Sequence, residues 1–190
     1  MLVAVSGSQG SGKSTVISHL ANHGYNTIGR KTSRSILEEW GVTLQQVNDD
    51  GELTTRFQDE ISHRKYNDEL LAINSSDLWF TERTHADLFT YALVSLGKDN
   101  RYSDWLNAYY EQCMIYNQLY STVYYLRAGH FNIEDDGTRG SGIHYSRMVD
   151  LVMLDTTTRM LPTSKLTVVD TPDLQQRISS ISIQSQALVK

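Results

Sequence analysis

Gly7, Ser8, Gln9, Gly10, Ser11, Gly12, Lys13, Ser14 and Thr15 spell the pattern G-x-x-x-x-G-K-[ST] directly behind the apolar stretch Leu2-Val3-Ala4-Val5. Residues of these types at this spacing do phosphate chemistry. The glycines let the backbone curl until successive N–H groups point inward at phosphate oxygens, Lys13 adds a mobile cation, and the Ser14 hydroxyl is placed to bind Mg²⁺. The helix predicted to follow, over 13–23, aims the positive end of its dipole at the same phosphates. A turn that merely joined a strand to a helix has no reason to carry the Gly-Lys-Ser ending behind a buried strand.

Phosphoryl transfer asks mainly for positioning and positive charge around the transferred group, so arginines near this loop carry the next expectation. Glu82 and Arg83 close the apolar run Leu78-Trp79-Phe80-Thr81. In a parallel sheet that places a carboxylate and a guanidinium where ligands sit. Glu82 can serve Mg²⁺ through water or take a proton from an acceptor hydroxyl, and Arg83 can grip an acceptor phosphate with two N–H groups. The bland alternative for both is a structural ion pair. Arg30, Lys31 and Arg34 crowd the end of the second strand, with Arg30 at the strand end and Arg34 equally readable as a solvated charge. Asp87, four residues after Arg83, suits either orienting Arg83 or bonding a sugar hydroxyl, against an ordinary i,i+4 pair. Arg139, behind the acidic pair Asp135-Asp136, and Arg147, early in the next helix, are candidates to fold over the phosphoryl group and exclude water. Six histidines are present without the spacing of a zinc site.

These side chains need a sheet to hold them. Short β-like runs at 2–5, 26–29, 78–81, 123–126 and 166–169 alternate with helical patterns at 13–23, 33–40, 53–74, 85–96, 102–120, 144–160 and 172–183, which predicts a parallel sheet with crossover helices. Gly24 and Gly41 look like helix stops. Residues 42–52 read as a turn-rich connection, and 128–143 as the least regular stretch, placed for a lid. A chain of 190 residues fits one domain over 1–190 with a lid insertion at about 128–143. The single Cys113 sits among Tyr109, Tyr110, Met114 and Tyr116 and reads as a core thiol, which suits a reducing compartment. No apolar run approaches the ~18 residues of a membrane span, and no basic segment precedes the first strand, so the expected location is the cytoplasm, the host's if the source is viral. Net charge is −5 with the 17 basic residues scattered. That favours a small-molecule acceptor over long nucleic acid, which is usually held by a basic face.

With the phosphate loop, Glu82-Arg83-Thr84 and the stretch Asp135-Asp136-Gly137-Thr138-Arg139 in hand, the chain resembles the P-loop nucleoside and nucleotide kinases over most of its length. It is most similar to a set that includes phage deoxynucleoside monophosphate kinases and the ribosylnicotinamide kinase domain. Ser33-Arg34-Ser35-Ile36-Leu37 and the run from Phe80 to Ala92 carry the likeness too. The resemblance implies an α/β three-layer fold with five parallel strands and a Mg-ATP donor, its adenine near Asp170-Thr171-Pro172-Asp173. It gives Arg83 the part of acceptor or transition-state contact and carries Glu82 over less securely.

Three functions stay open at this point. The first is ATP-dependent phosphorylation of a deoxynucleoside monophosphate, including one with a modified pyrimidine, with Arg30, Arg34 and Arg83 on the acceptor phosphate. The second is a kinase for hydroxymethylated pyrimidine already in DNA, which needs an open groove and an unstacked base. The third is a nucleotide-binding regulatory ATPase without an acceptor. No water-activating residue stands out for the third, and arginines in the same chain suit a self-contained kinase. A homodimer is compatible with all three.

Overall fold

The computed structural model describes residues 1–29, 31–131 and 143–187. Five strands, β1 (Leu2–Ser6), β2 (Asn26–Ile28), β3 (Trp79–Glu82), β4 (Thr122–Leu126) and β5 (Leu166–Val169), form one all-parallel sheet in the order β2-β3-β1-β4-β5. The sequence places every one of them to within a residue or so. β1 is central and wholly buried, as an uninterrupted apolar strand of a doubly covered sheet must be. Val3 and Val5 face a core with Val16, Leu20, Phe80 and Ile181, while Leu2 and Ala4 face Tyr120, Val123 and Leu161. Helices α1 (Lys13–Asn22) and α8 (Leu174–Ala187) cover the first face. The largest core cluster lies on the other side, among α2 (Lys31–Trp40), α3 (Leu44–Asp49), α4 (Gly51–Ile73), α5 (His85–Leu96) and α6 (Ser103–Tyr116), with α7 (Ile143–Met160) packed on α5. Cys113 is buried there, and burial pushes its thiol up to about 12, so it behaves as core.

Several element boundaries differ from the sequence expectation. The connection 42–52 holds α3, whose Thr43 and Gln46 form a reciprocal capping box, and the polar run ending at Asp50 serves as the cap of α4, with Asp50 accepting from the N–H groups of Glu52 and Leu53. Helix α2 begins at Lys31 rather than Ser33, and α8 at Leu174 rather than Pro172, because Asp173 caps it through the N–H of Gln176. The long helix expected over 102–120 is α6 flanked by short 3₁₀ turns. Gly24 and Gly41 do adopt left-handed conformations after their helices. The candidate lid falls largely on 132–142, outside the described residues, as do Arg30 and Arg139.

Helix α4 buries a polar stripe. Gln58, Ser62, Lys65 and Glu69 recur at four-three-four spacing beside the apolar Phe57 and Ile61, and all are buried. Glu69, fully enclosed, pairs with Lys65 Nζ at 2.6 Å and accepts from the Tyr120 hydroxyl at 3.1 Å and from His85 Nε2 at 3.2 Å. Burial works to raise the Glu69 carboxyl, but Lys65 and His85 outweigh it and hold the group at about 2. Burial also depresses His85, against Glu69. The ring is therefore neutral, donating through Nε2 and accepting at Nδ1 from Ser62, 3.1 Å away.

This network sets an acid limit on stability. Both groups titrate lower folded than unfolded, so their stabilisation is complete above the unfolded values. It erodes first below 6.5, as unfolded chains protonate the histidine, and again below 4.5 for the glutamate. Glu69→Ala is expected to cost about 3–5 kcal/mol, since it leaves a buried ammonium without its carboxylate. Urea unfolding of wild type and Glu69→Ala from about pH 7 to about pH 3 checks both statements, and the variant should show the flatter acid limb.

Candidate functional site

All five strands run the same way, so the phosphate loop, the Glu82–Arg83 turn and the loops after β4 and β5 gather at one edge. Two cavities open there. The first, about 350 Å³, is walled by Gln9, Gly10, Gly12, Lys13, Ser14, Thr15, Glu82 and Arg83, and at its far end by Phe131, Leu174 and Arg177. The second, about 390 Å³, lies between α2, α3, α4 and α5. They share two wall residues, Gln9 and Arg83.

The loop has the backbone its glycines permit. Gly7, at φ 134, lies so close to the Leu126 carbonyl that a side chain would collide with it, and Gly12, at φ 88, caps α1 in the left-handed region. Lys13 is buried, its Nζ donating to the Ser8 carbonyl at 2.7 Å and to the Ser11 hydroxyl at 3.3 Å. The Ser14 hydroxyl donates to Glu82 Oε1 at 2.9 Å. A hydroxyl and a carboxylate at the mouth of a phosphate loop are the hard oxygen donors that Mg²⁺ takes, directly or through water. Ser14 and Glu82 thus fit a magnesium ion.

Arg83 has φ 72, the single non-glycine residue with positive φ among the described residues. Its N–H donates to the Val5 carbonyl at 2.9 Å, and its guanidinium lies 4.9 Å from the centre of the Tyr91 ring. Burial opposes the charge, but Tyr91, with Asp87 and Glu82, more than offsets it and raises the pKa. Nη1 is buried without a hydrogen-bond partner, on the wall between the cavities. Asp87 does not take this guanidinium in a hydrogen bond. Its Oδ1 accepts from Ser6 at 2.5 Å and Thr84 at 2.7 Å, so it ties β1 to the start of α5 and lines neither cavity. Arg34 is exposed at the rim of the second cavity. Arg147 is exposed on α7 and lines neither.

Several wall residues escaped the sequence reading. Gln58, with its buried Oε1 unpartnered, and Lys65 line the second cavity together with Tyr91 of α5, and the clue to the first two was the four-three-four polar stripe on α4. Arg177 carries no sequence signal. It is almost wholly buried and donates to three backbone carbonyls: Ser11 in the phosphate loop, Thr171 after β5 at 2.5 Å, and Arg127 after β4 at 3.4 Å. Phe131 lies 5.0 Å from its guanidinium carbon. The root of the β4–α7 connection is anchored by Asp150, which accepts from Arg127 and from the Ala128 N–H, and by His130, 2.6 Å from Asp170.

A family model of AAA domains, AAA_28, matches residues 2–177. No curated protein sequence matches the chain. Among solved structures, deoxyadenosine kinase from M. mycoides with bound dATP superposes with a TM-score of 0.74 at 17% identity, covering 98% of this chain and 100% of that one. NadR protein in complex with NAD and AMP-PNP gives 0.69 at 14% identity, over 97% of this chain and 48% of that one, so this chain spans about half its length. At these identities the likeness is one of fold: the five-stranded P-loop kinase fold that the sequence leads one to expect.

Proposed function

The chain belongs to the AAA_28 family of AAA domains and has the fold of P-loop nucleoside kinases, and from that premise we propose that it transfers the γ-phosphoryl group of ATP to a deoxynucleoside monophosphate. One observation carries the choice of acceptor. The second cavity is walled by Arg34 and Arg83, with Lys65 already paired with Glu69, and, among the described residues, by no carboxylate. An alcohol acceptor needs a base for its proton, whereas a phosphate monoester arrives already ionised and needs cations. The wall suits the phosphate.

In this reading the phosphate loop and Lys13 hold the donor's β- and γ-phosphates in the first cavity, with Ser14 and Glu82 holding Mg²⁺, which neutralises charge on the phosphates. An oxygen of the acceptor phosphate, in the second cavity, attacks the γ-phosphorus in line. The new O–P bond forms as the bond to the β,γ-bridging oxygen breaks, and ADP leaves without any proton having to move. Arg83, on the shared wall, has an N–H free to meet the group in passage. Arg34 takes the acceptor phosphate at the rim, and Gln58 presents a buried amide to the base among Phe57, Ile61 and Leu88. Arg30, Arg139 and Arg147 are retained as further acceptor or lid cations.

The test is an acceptor panel with radiolabelled ATP: nucleosides, the deoxynucleoside monophosphates, modified pyrimidine monophosphates, and DNA bearing hydroxymethyluracil. Monophosphates are expected to be phosphorylated with kcat/KM at least about 10²-fold above the matching nucleosides. From about 50 to about 200 mM salt the loss should be slight. A polymer held through several phosphates would lose roughly 10³-fold. Transfer to DNA with a steep salt slope, or label passing only to water, overturns the proposal.

A further inference from the structure

Arg83 stands in a backbone conformation that a residue with a β-carbon adopts at a cost of order 1–3 kcal/mol, and such strain persists only where the surroundings over-determine it. The turn is held on two sides. From β1, the Val5 carbonyl accepts the Arg83 N–H. From α4, Lys65 Nζ reaches the carbonyl of Glu82, the oxygen of the very peptide that leads into Arg83, at 3.1 Å, and the Thr81 hydroxyl at 2.8 Å. Its remaining bond goes to Glu69 at 2.6 Å. An ammonium has three N–H donors, and these three acceptors use them all. Lys65 lines the acceptor cavity, yet its donors are committed inward, and Glu69 is itself fixed by Tyr120 and His85.

We infer that Lys65 is a positioning residue, whose ammonium, braced by Glu69, pins the Glu82–Arg83 peptide and thereby sets both the carboxylate that meets Ser14 and the guanidinium on the wall between the cavities. The inference rests on the phosphoryl-transfer reading for its kinetic consequence. It is not a general packing role, because the atoms Lys65 holds are the backbone between two site side chains. When the clamp is lost the peptide relaxes, and Glu82 and Arg83 shift together. Lys13 and its bonds to Ser8 and Ser11 lie on another loop and are untouched.

Three variants separate positioning from stability. Lys65→Met alone strands a buried carboxylate and should melt at lower temperature. Lys65→Met with Glu69→Gln removes both charges at similar volume and should recover much of that loss. Lys65→Arg keeps a cation for Glu69, and so the fold, but its planar fork cannot place three tetrahedral donors. In all three, kcat with the best acceptor should fall, by about 10²-fold for the two methionine variants, while KM for ATP stays within about threefold. Hydrogen exchange at the Arg83 amide should speed up, with the phosphate-loop amides unchanged. Recovery of kcat in step with melting temperature in the double variant overturns the proposal, as does wild-type exchange at Arg83 in all three. If the wild-type protein phosphorylates no acceptor, the activity reading fails, and exchange at Arg83 alone decides whether Lys65 holds the turn.

Discussion

Lys13→Ala is expected to lower kcat by about 10³-fold or more and to abolish the stabilisation that Mg-ATP gives the wild-type protein against thermal unfolding. In the structure the ammonium closes the loop on itself through Ser8 and Ser11, so it already sits inside the ring of N–H groups that a phosphate would enter. Exchanging those neutral acceptors for phosphate oxygens puts a full charge against charge that grows on the bridging oxygen as the bond breaks, in a site screened from water. Alanine removes that charge together with the hydrogen bonds to Ser8 and Ser11 inside the loop, so unfolding without nucleotide should shift little. Rate and unfolding, with and without nucleotide, are measured together. A variant retaining more than about a tenth of the wild-type rate rules out the assignment of Lys13.

Arg83→Ala should lower kcat/KM for the acceptor by about 10²–10³-fold, because the guanidinium stands where the two cavities meet and carries an unspent N–H. Arg83→Lys should not restore it, since an ammonium on a flexible stem can neither stack on Tyr91 nor span two oxygens. The strained backbone supplies an internal control. Glycine accepts φ 72 freely, so Arg83→Gly should be more stable than Arg83→Ala by about 1 kcal/mol while being equally inactive. Equal stability of the two would rule out strain at φ 72, and rescue by lysine would mean that Arg83 serves only as a cation.

What the sequence revealed and what it withheld follow one physical line. The phosphate loop is legible because its chemistry is carried by consecutive backbone groups, so one strand, one turn and one helix start contain it whole. The central strands β1, β3 and β4 are legible because burial on both faces leaves short, largely apolar runs. The edge strands β2 and β5 are legible from their β-branched residues between turns. Helix α3 hid because six residues give too little periodicity, although Thr43 and Gln46 state its cap openly. Lys65 and Glu69 hid for a different reason. On a long charged helix they look like any solvated i,i+4 pair, and only the arrival of His85 and Tyr120 from distant segments makes them interior. Asp87 acts on Arg83 through charge alone, while its hydrogen bonds go to Thr84 and to Ser6, 81 residues away, which only the sheet brings to it.

Arg177 has a consequence for the order in which the molecule is built. The phosphate loop leaves the ribosome well before α8, yet the Ser11 carbonyl receives its guanidinium from a residue 166 positions later, and the same side chain ties down the exits of β4 and β5. The central strand β1 likewise waits for both its neighbours, β3 and β4, from later in the chain. A nascent chain stopped before α8 therefore has the motif but not the site, and nucleotide, which stabilises only what it binds, cannot favour native structure until α8 docks. Competence for nucleotide in this fold thus reports the docking of α8, a segment far from the motif in sequence.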